Sequence, residues 1–210
     1  DIHWDVPVLL IVGGGLFFKG PSREWKQGGR ILIGVALILI SLTMIADATE
    51  PLREAEGLPA IVGYLSGDFL TAFLIGAAFT WLVHSSVASI LLVAAFAAQG
   101  VVPIELAVSL MLGANLGGGL IAVGLTRQSF VEARRIALGN LLFRGVGAVT
   151  ALLAFHYMDP AIGWLGPDPA RQLVNLHLLF NLALLAVGLS LIGPVVGLGT
   201  KRIQPRLSAE

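Results

Sequence analysis

The chain has 210 residues, 56% hydrophobic and 12% charged, with a formal net charge of zero. Soluble domains carry about 25% charged residues, so this balance excludes an ordinary soluble domain and a basic nucleic-acid surface, and it points to an integral membrane protein. The absence of cysteine excludes disulfides, thiol catalysis and cysteine-ligated metal, and His3, His84, His156 and His177 lack zinc-type spacing.

The first residue is Asp1, and no basic stretch precedes the Val6–Phe18 apolar run, so that run does not read as a signal peptide. The expectation is a chain cut from something longer, or processed. Val6–Phe18 reads as a short or tilted span, with Trp4 and Lys19 as interfacial anchors. Lys19–Arg30 is a polar loop opened by Gly20-Pro21. Ile31–Ala46 is a strong helix that extends toward Pro51, Asp47–Gly57 an acidic connector and Leu58–Asp68 a short interfacial helix. Leu70–Val83 and Ile90–Ala98 each reach about 21 Å or less at 1.5 Å per residue, short of a hydrocarbon core of about 30 Å. They flank the polar corner His84-Ser85-Ser86-Val87-Ala88-Ser89, and two short helices meeting there predict a re-entrant hairpin over Leu70–Gln99. Ile104–Thr126 is long enough to cross and carries the glycine-rich interruption Gly113–Gly119, which predicts a broken helix. Ile136–Phe155 and Gln172–Val196 complete five crossings.

Basic residues test this threading. If Lys19–Arg30 faces inward, ten of the thirteen Lys and Arg fall on that side, Arg53 and Arg171 fall on the other, and Arg144 lies within a span. Such a bias is what the positive-inside rule expects of a multi-pass protein, and a bacterial inner membrane is the expected location. The fold class is therefore all-α and membrane-embedded: about five transmembrane helices plus a re-entrant hairpin and a broken helix, with residues 1–210 as one transport unit, half of a longer protein.

Irregular backbone at membrane depth is tolerated where protein buries it or where it lines a watery cavity. Val83–Ser89 and Gly113–Gly119 are thus the candidate site. A helix starting at such a corner offers free N–H groups and the positive end of its dipole, and Ser85, Ser86 and Ser89 add hydroxyls. Such a site can hold an oxyanion without lysine. The competing role for these serines is to satisfy the backbone of their own turn. Asn115 offers a carbonyl and an amide NH2, whereas the glycines beside it serve either close approach to a ligand or tight helix packing. Arg144 is the most costly residue, because a charge near the bilayer centre costs about 2.5–3.5 kcal/mol on the translocon scale. It must face protein, ligand or water, or snorkel to the inner interface. His84 can titrate near neutral pH. His177 and Asn181 share a helix face at i, i+4.

GAAFTWLVHSSVAS, Pro103-x-Glu105-Leu106, GANLGGG and the later HLLFN resemble the type II sodium/phosphate cotransporter family, from about Gly28 to Gly193. Its signature is a Gln-Ser-Ser-Ser turn, then a Gly-Ala-Asn-Ile-Gly-Thr-Thr break, then His-x-Leu-Phe-Asn elements. The resemblance implies one unit of an inverted-repeat transporter, its second repeat. Together with the residue chemistry above, it points to substrate at His84, Ser85, Ser86, Asn115, Gly117 and Arg144, and ion binding at Ser85, Ser89, Asn115 and Asn181. It implies no cofactor, with Na+ as coupling ion. The implied partners are inorganic phosphate or a similar anion, sodium, membrane lipid, and the missing first repeat or a second copy, with no nucleic acid. This chain departs from the pattern at His84, Val87, Gly118, Gly119 and Arg144. Arg144 suggests a fixed positive charge that lets an anion bind with fewer Na+ or none. The lost oxygen ligands leave a second reading, a non-transporting or altered-substrate scaffold or sensor of the same family. An enzyme is not expected: adjacent side chains such as His84 and Ser85 diverge on a helix, and no acidic residue lies at membrane depth to orient a triad.

Overall fold

A computed structural model describes residues 2–53, 55–158 and 160–203, and the described residues form eight α-helices and one 3-10 turn with no strand. The helices are α1 (Ile2–Lys19), α2 (Arg23–Arg53), α3 (Leu58–Gly67), α4 (Phe69–Val83), α5 (Ser86–Ala98), α6 (Ile104–Leu125), α7 (Val131–Met158) and α8 (Pro169–Ile203). Among the described residues, Arg23–Ile45 of α2, all of α6 and α7, and Pro169–Leu191 of α8 are long and apolar enough to cross a membrane; α3 and α4 together make a fifth if counted as one span bent by 115°.

The chain divides into two compact units, residues 1–60 and 61–210. In the first, α1 and α2 pack through glycine. A Cβ on Gly13 would lie 3.0 Å from the Gly29 carbonyl oxygen, and a Cβ on Gly29 would press on the Gly13 carbonyl and the Phe17 backbone. Arg30 lies over the Phe17 ring, 5.3 Å from its centroid, a cation–π contact. The loop expected over Lys19–Arg30 shrinks to Gly20–Ser22, because α2 already begins at Arg23 with Glu24 in its first turn. An acidic residue there suits the helix dipole. The acidic connector is likewise helical as far as Arg53. Polarity ends an apolar run, but Glu and Arg are good helix formers, so the helix outlasts the run.

In the second unit α6 is the axis. Helices α4, α5, α7 and α8 all pack on it, and Val108, Met111 and Asn115 are fully buried. Here the structure differs from the expected broken helix: α6 is continuous across Gly113–Gly119. The glycines do not interrupt the helix; they bring another one close. Between helices in lipid there is little hydrophobic drive, so association depends on van der Waals packing and small residues. Gly113 and Gly117, at i, i+4, face α4. A Cβ on Gly113 would strike the Phe73 carbonyl, one on Gly117 the Ala77 carbonyl, and one on Gly76 of α4 the Leu110 carbonyl. Glycine costs about 1 kcal/mol relative to alanine in a helix, and the α4–α6 contact is what offsets it.

Helices α4 and α5 are joined by two residues. His84 sits in the left-handed region at φ 57°, the only non-glycine residue to do so among those described, and Ser85 is extended. Ser85 caps α5, so that helix begins at Ser86 rather than at the expected Ile90. At the other end of α4, Asp68 caps the helix: its carboxylate accepts from the Thr71 N–H at 3.0 Å and from the Thr71 hydroxyl at 2.6 Å. Asp168 caps α8 in the same way, accepting from the Arg171 N–H at 2.9 Å. Pro169 opens that helix, a position where its missing N–H costs nothing.

The close crossing makes a stability prediction. Gly113→Ala and Gly117→Ala each force α4 and α6 apart and cost about 1–3 kcal/mol or more. Gly118→Ala meets only the Ser86 side chain at 3.5 Å, and the better helix propensity of alanine makes it neutral or slightly stabilising. Thermal unfolding in detergent checks the order; equal losses at Gly113 and Gly118 would contradict the packing described here.

Candidate functional site

The serine corner is built from its own hydrogen bonds. The Ser85 hydroxyl accepts from the Ala88 N–H at 3.1 Å, and the buried Ser89 hydroxyl donates to the Ser85 carbonyl at 2.9 Å. His84 is exposed, with Nδ1 3.1 Å from the Leu82 carbonyl. The Ser86 hydroxyl takes part in neither cap. It faces α6 at Gly118, where a Cβ would stand 3.7 Å from its oxygen. The start of α5 therefore looks onto α6 one turn beyond Asn115.

A second polar group is assembled by α6, α7 and α8. Arg144 of α7 donates from Nη2 to the Asn115 side-chain oxygen at 2.8 Å and to the Asn181 side-chain oxygen at 3.4 Å. The Asn115 amide nitrogen donates to the Met111 carbonyl at 3.0 Å and lies 3.2 Å from His177 Nδ1. The Asn181 amide nitrogen donates to the His177 carbonyl at 2.8 Å and to the Asn115 side-chain oxygen at 3.4 Å. These partners fix both amide orientations, since a reversed amide would aim NH2 at the guanidinium donor. Asn115 is completely buried, while Arg144, His177 and Asn181 are half-buried. Arg144 Nε is buried and has no hydrogen-bond partner.

This cluster opens on one side. A groove of about 810 Å³ runs between α7 and α8, with Asn140, Arg144 and Asn181 as its polar wall and Phe143, Leu184 and Leu189 among its apolar lining. Asn140 and Arg144 are at i, i+4 on α7 and so share that wall.

Of the residues singled out from sequence, Asn115, Arg144 and Asn181 are thus in mutual contact. His84, Ser85 and Ser89 form no hydrogen bond with them, and Gly117 lies against Ala77 and Thr80 at the α4–α6 crossing. Sequence reasoning placed His177 beside Asn181 on one helix face but did not place it against Asn115. It missed Thr80, fully buried with its hydroxyl unpartnered. A threonine in an apolar run does not by its type differ from one bonded to its own helix; its position one turn before the corner, in the threonine-containing apolar helix that precedes the serine turn in the family signature, is the hint.

A family model described as "Na+/Pi-cotransporter" matches residues 54–194, a stretch containing the corner, α6 and every member of the polar cluster. The chain belongs to the Na+/Pi-cotransporter family. Within that family's reach, it is 36% identical over 195 residues to a protein of Escherichia coli (strain K12) named "Putative inorganic phosphate export protein YjbB", an alignment covering 93% of this chain and 36% of YjbB. It is 27% identical over 184 residues to "Uncharacterized protein YqeW" of Bacillus subtilis (strain 168), covering 86% of this chain and 59% of YqeW. It is 28% identical over 180 residues to "Uncharacterized Na(+)/H(+) exchanger YjcE" of E. coli K12, covering 83% of this chain and 30% of YjcE. The chain thus spans about a third of YjbB's length. No solved structure matches. With its apolar helices and its family, the chain is a multi-pass membrane protein.

The cluster predicts non-additive energetics. Asn115→Leu removes the closest acceptor of a half-buried charge, and breaking such an arrangement from the acceptor side costs about 3–5 kcal/mol in buried ion pairs, less with neutral partners. Arg144→Met on top of Asn115→Leu removes the stranded charge and restores part of that loss. A double-mutant cycle on thermal stability reads this directly; simple additivity of the two losses would contradict the coupling.

Proposed function

We propose that this chain is a transport unit of a secondary active transporter that moves inorganic phosphate or a related oxyanion, coupled to sodium. The observation that carries the reading is a guanidinium held at membrane depth by two neutral amides beside an open groove. Its charge is not cancelled by those partners, so it favours an anion. In the same unit α5 begins with the N–H groups of Ser86 and Val87, ahead of the capped Ala88, with the positive end of its dipole and the Ser86 hydroxyl, the ordinary means of holding phosphate at a helix start. In this reading α4 and α5 form a re-entrant hairpin, the oxyanion binds between the corner and the Asn115 region of α6, and sodium uses hydroxyl and carbonyl oxygens of the same region. A further repeat or a second copy of the chain covers the open side.

The names of the relatives support the cargo and leave the direction to experiment. The family description names Na+/phosphate cotransport, the name of YjbB phosphate export, and that of YjcE sodium/proton exchange. One observation favours a non-transporting scaffold or sensor instead: the hydroxyls of Ser85 and Ser89 are taken up by the turn itself.

Radiolabelled phosphate flux through the full-length protein in liposomes separates the two. Transport predicts flux that responds to a Na+ gradient and not to choline, with Ser86→Ala slowing it about tenfold, a loss of about 1.4 kcal/mol. Flux equal to that of empty liposomes, from protein that is folded, would establish the scaffold reading.

A further inference from the structure

We infer that Arg144 is a tethered cation: its guanidinium permanently fills the cation position formed by the side-chain oxygens of Asn115 and Asn181, and so keeps mobile Na+ out of that position. Two neutral carbonyl oxygens, from α6 and from α8, converge on one nitrogen, Arg144 Nη2, at 2.8 and 3.4 Å. Hard monovalent and divalent cations are bound by such oxygens, and both amides are oriented for the task. The Asn115 nitrogen is turned away, toward the Met111 carbonyl and the His177 ring, and the Asn181 nitrogen bonds the His177 carbonyl at 2.8 Å while also donating to the Asn115 oxygen at 3.4 Å, which ties the two amides together. Asn115 is entirely buried, so its oxygen has little access to water in place of a cation.

The alternative occupant is excluded by charge and by space. A free Na+ between the same two oxygens would sit against the guanidinium, and like charges at that range in a poorly solvated site repel strongly. His177 of α8 is held next to both amide nitrogens. Among the described residues no group of three His, Asp or Glu side chains is placed to bind a metal ion. The charge at this position is thus covalently attached, and among the described residues only Nη2 of the guanidinium has hydrogen-bond partners, which leaves N–H groups for an anion. Read together with the proposed function, on which this consequence rests, the unit carries one of its compensating positive charges with it and needs one fewer Na+ for each oxyanion.

The test uses purified full-length protein in detergent, without phosphate, so that it does not depend on transport. Thermal stability is compared in sodium chloride and in choline chloride for wild type, Arg144→Lys, Arg144→Gln and Arg144→Met. The Gln and Met variants uncover the two amide oxygens and gain a Na+-specific rise in Tm beyond that of wild type, by mass action. Arg144→Lys keeps the charge and shows no such gain. Adding Asn115→Leu to Arg144→Met abolishes the gain. A Na+ response identical in wild type and in the Gln and Met variants would overturn the inference. If either variant resists purification, binding of radioactive sodium to membranes containing it, against wild type, gives the same reading: extra Na+ supports the tethered cation, and none overturns it. Should phosphate flux be absent in wild type while the Gln and Met variants still gain Na+ binding, the transport reading fails and the tethered cation stands.

Discussion

A guanidinium inside a helical membrane bundle must be met by oxygen, and the second unit of this protein is arranged around how Arg144 is met. Its costs are of the order of a few kcal/mol before any partner is supplied. The acceptors are neutral amides rather than carboxylates, which satisfies hydrogen bonding and leaves the charge in place. The amides are in turn held by backbone carbonyls and by His177. Removing the oxygen of Asn115 therefore affects more than one bond, because it sits in both the α6–α7 and the α6–α8 contacts.

That arrangement depends on a long, uninterrupted α6. Asn115 lies between Gly113 and Gly117, and these two glycines are pressed against α4. The helix side without a Cβ locks α6 to α4, while Asn115 reaches α7 and α8. The polar cluster and the serine corner are consequently tied to one rod: α4 ends in the corner, α5 starts from it, and Ser86 faces α6 at Gly118. The left-handed backbone at His84, which costs a non-glycine residue about 1–2 kcal/mol, lets the reversal be made in two residues. A tight corner keeps the first N–H groups of α5 in a fixed position.

Much of this was legible in the sequence, and the reasons are specific. The apolar runs located the helices, because a span through lipid needs a long apolar helix. Asp68, expected at the end of the short helix before it, instead caps α4. The cost of a charge marked Arg144, and i, i+4 spacing put His177 and Asn181 on one face. Helix ends were less legible: α2 and α7 continue into polar sequence that holds a helix as well as apolar sequence does. The glycine cluster was ambiguous in principle, since glycine permits a break and also permits a close crossing; only the partner, Phe73 and Ala77 of α4, decides it. That Arg144 reaches Asn115 across 29 positions in the chain has no local signal at all.

The most direct measurement is a structure of the full-length protein with Na+ and phosphate present, at a resolution that separates side chains. The expected result is the Arg144 guanidinium between the side-chain oxygens of Asn115 and Asn181, no ion between those two oxygens, and phosphate within hydrogen-bond reach of Ser86 and the start of α5. A sodium ion coordinated by Asn115 and Asn181, with Arg144 withdrawn to the membrane interface, would contradict it.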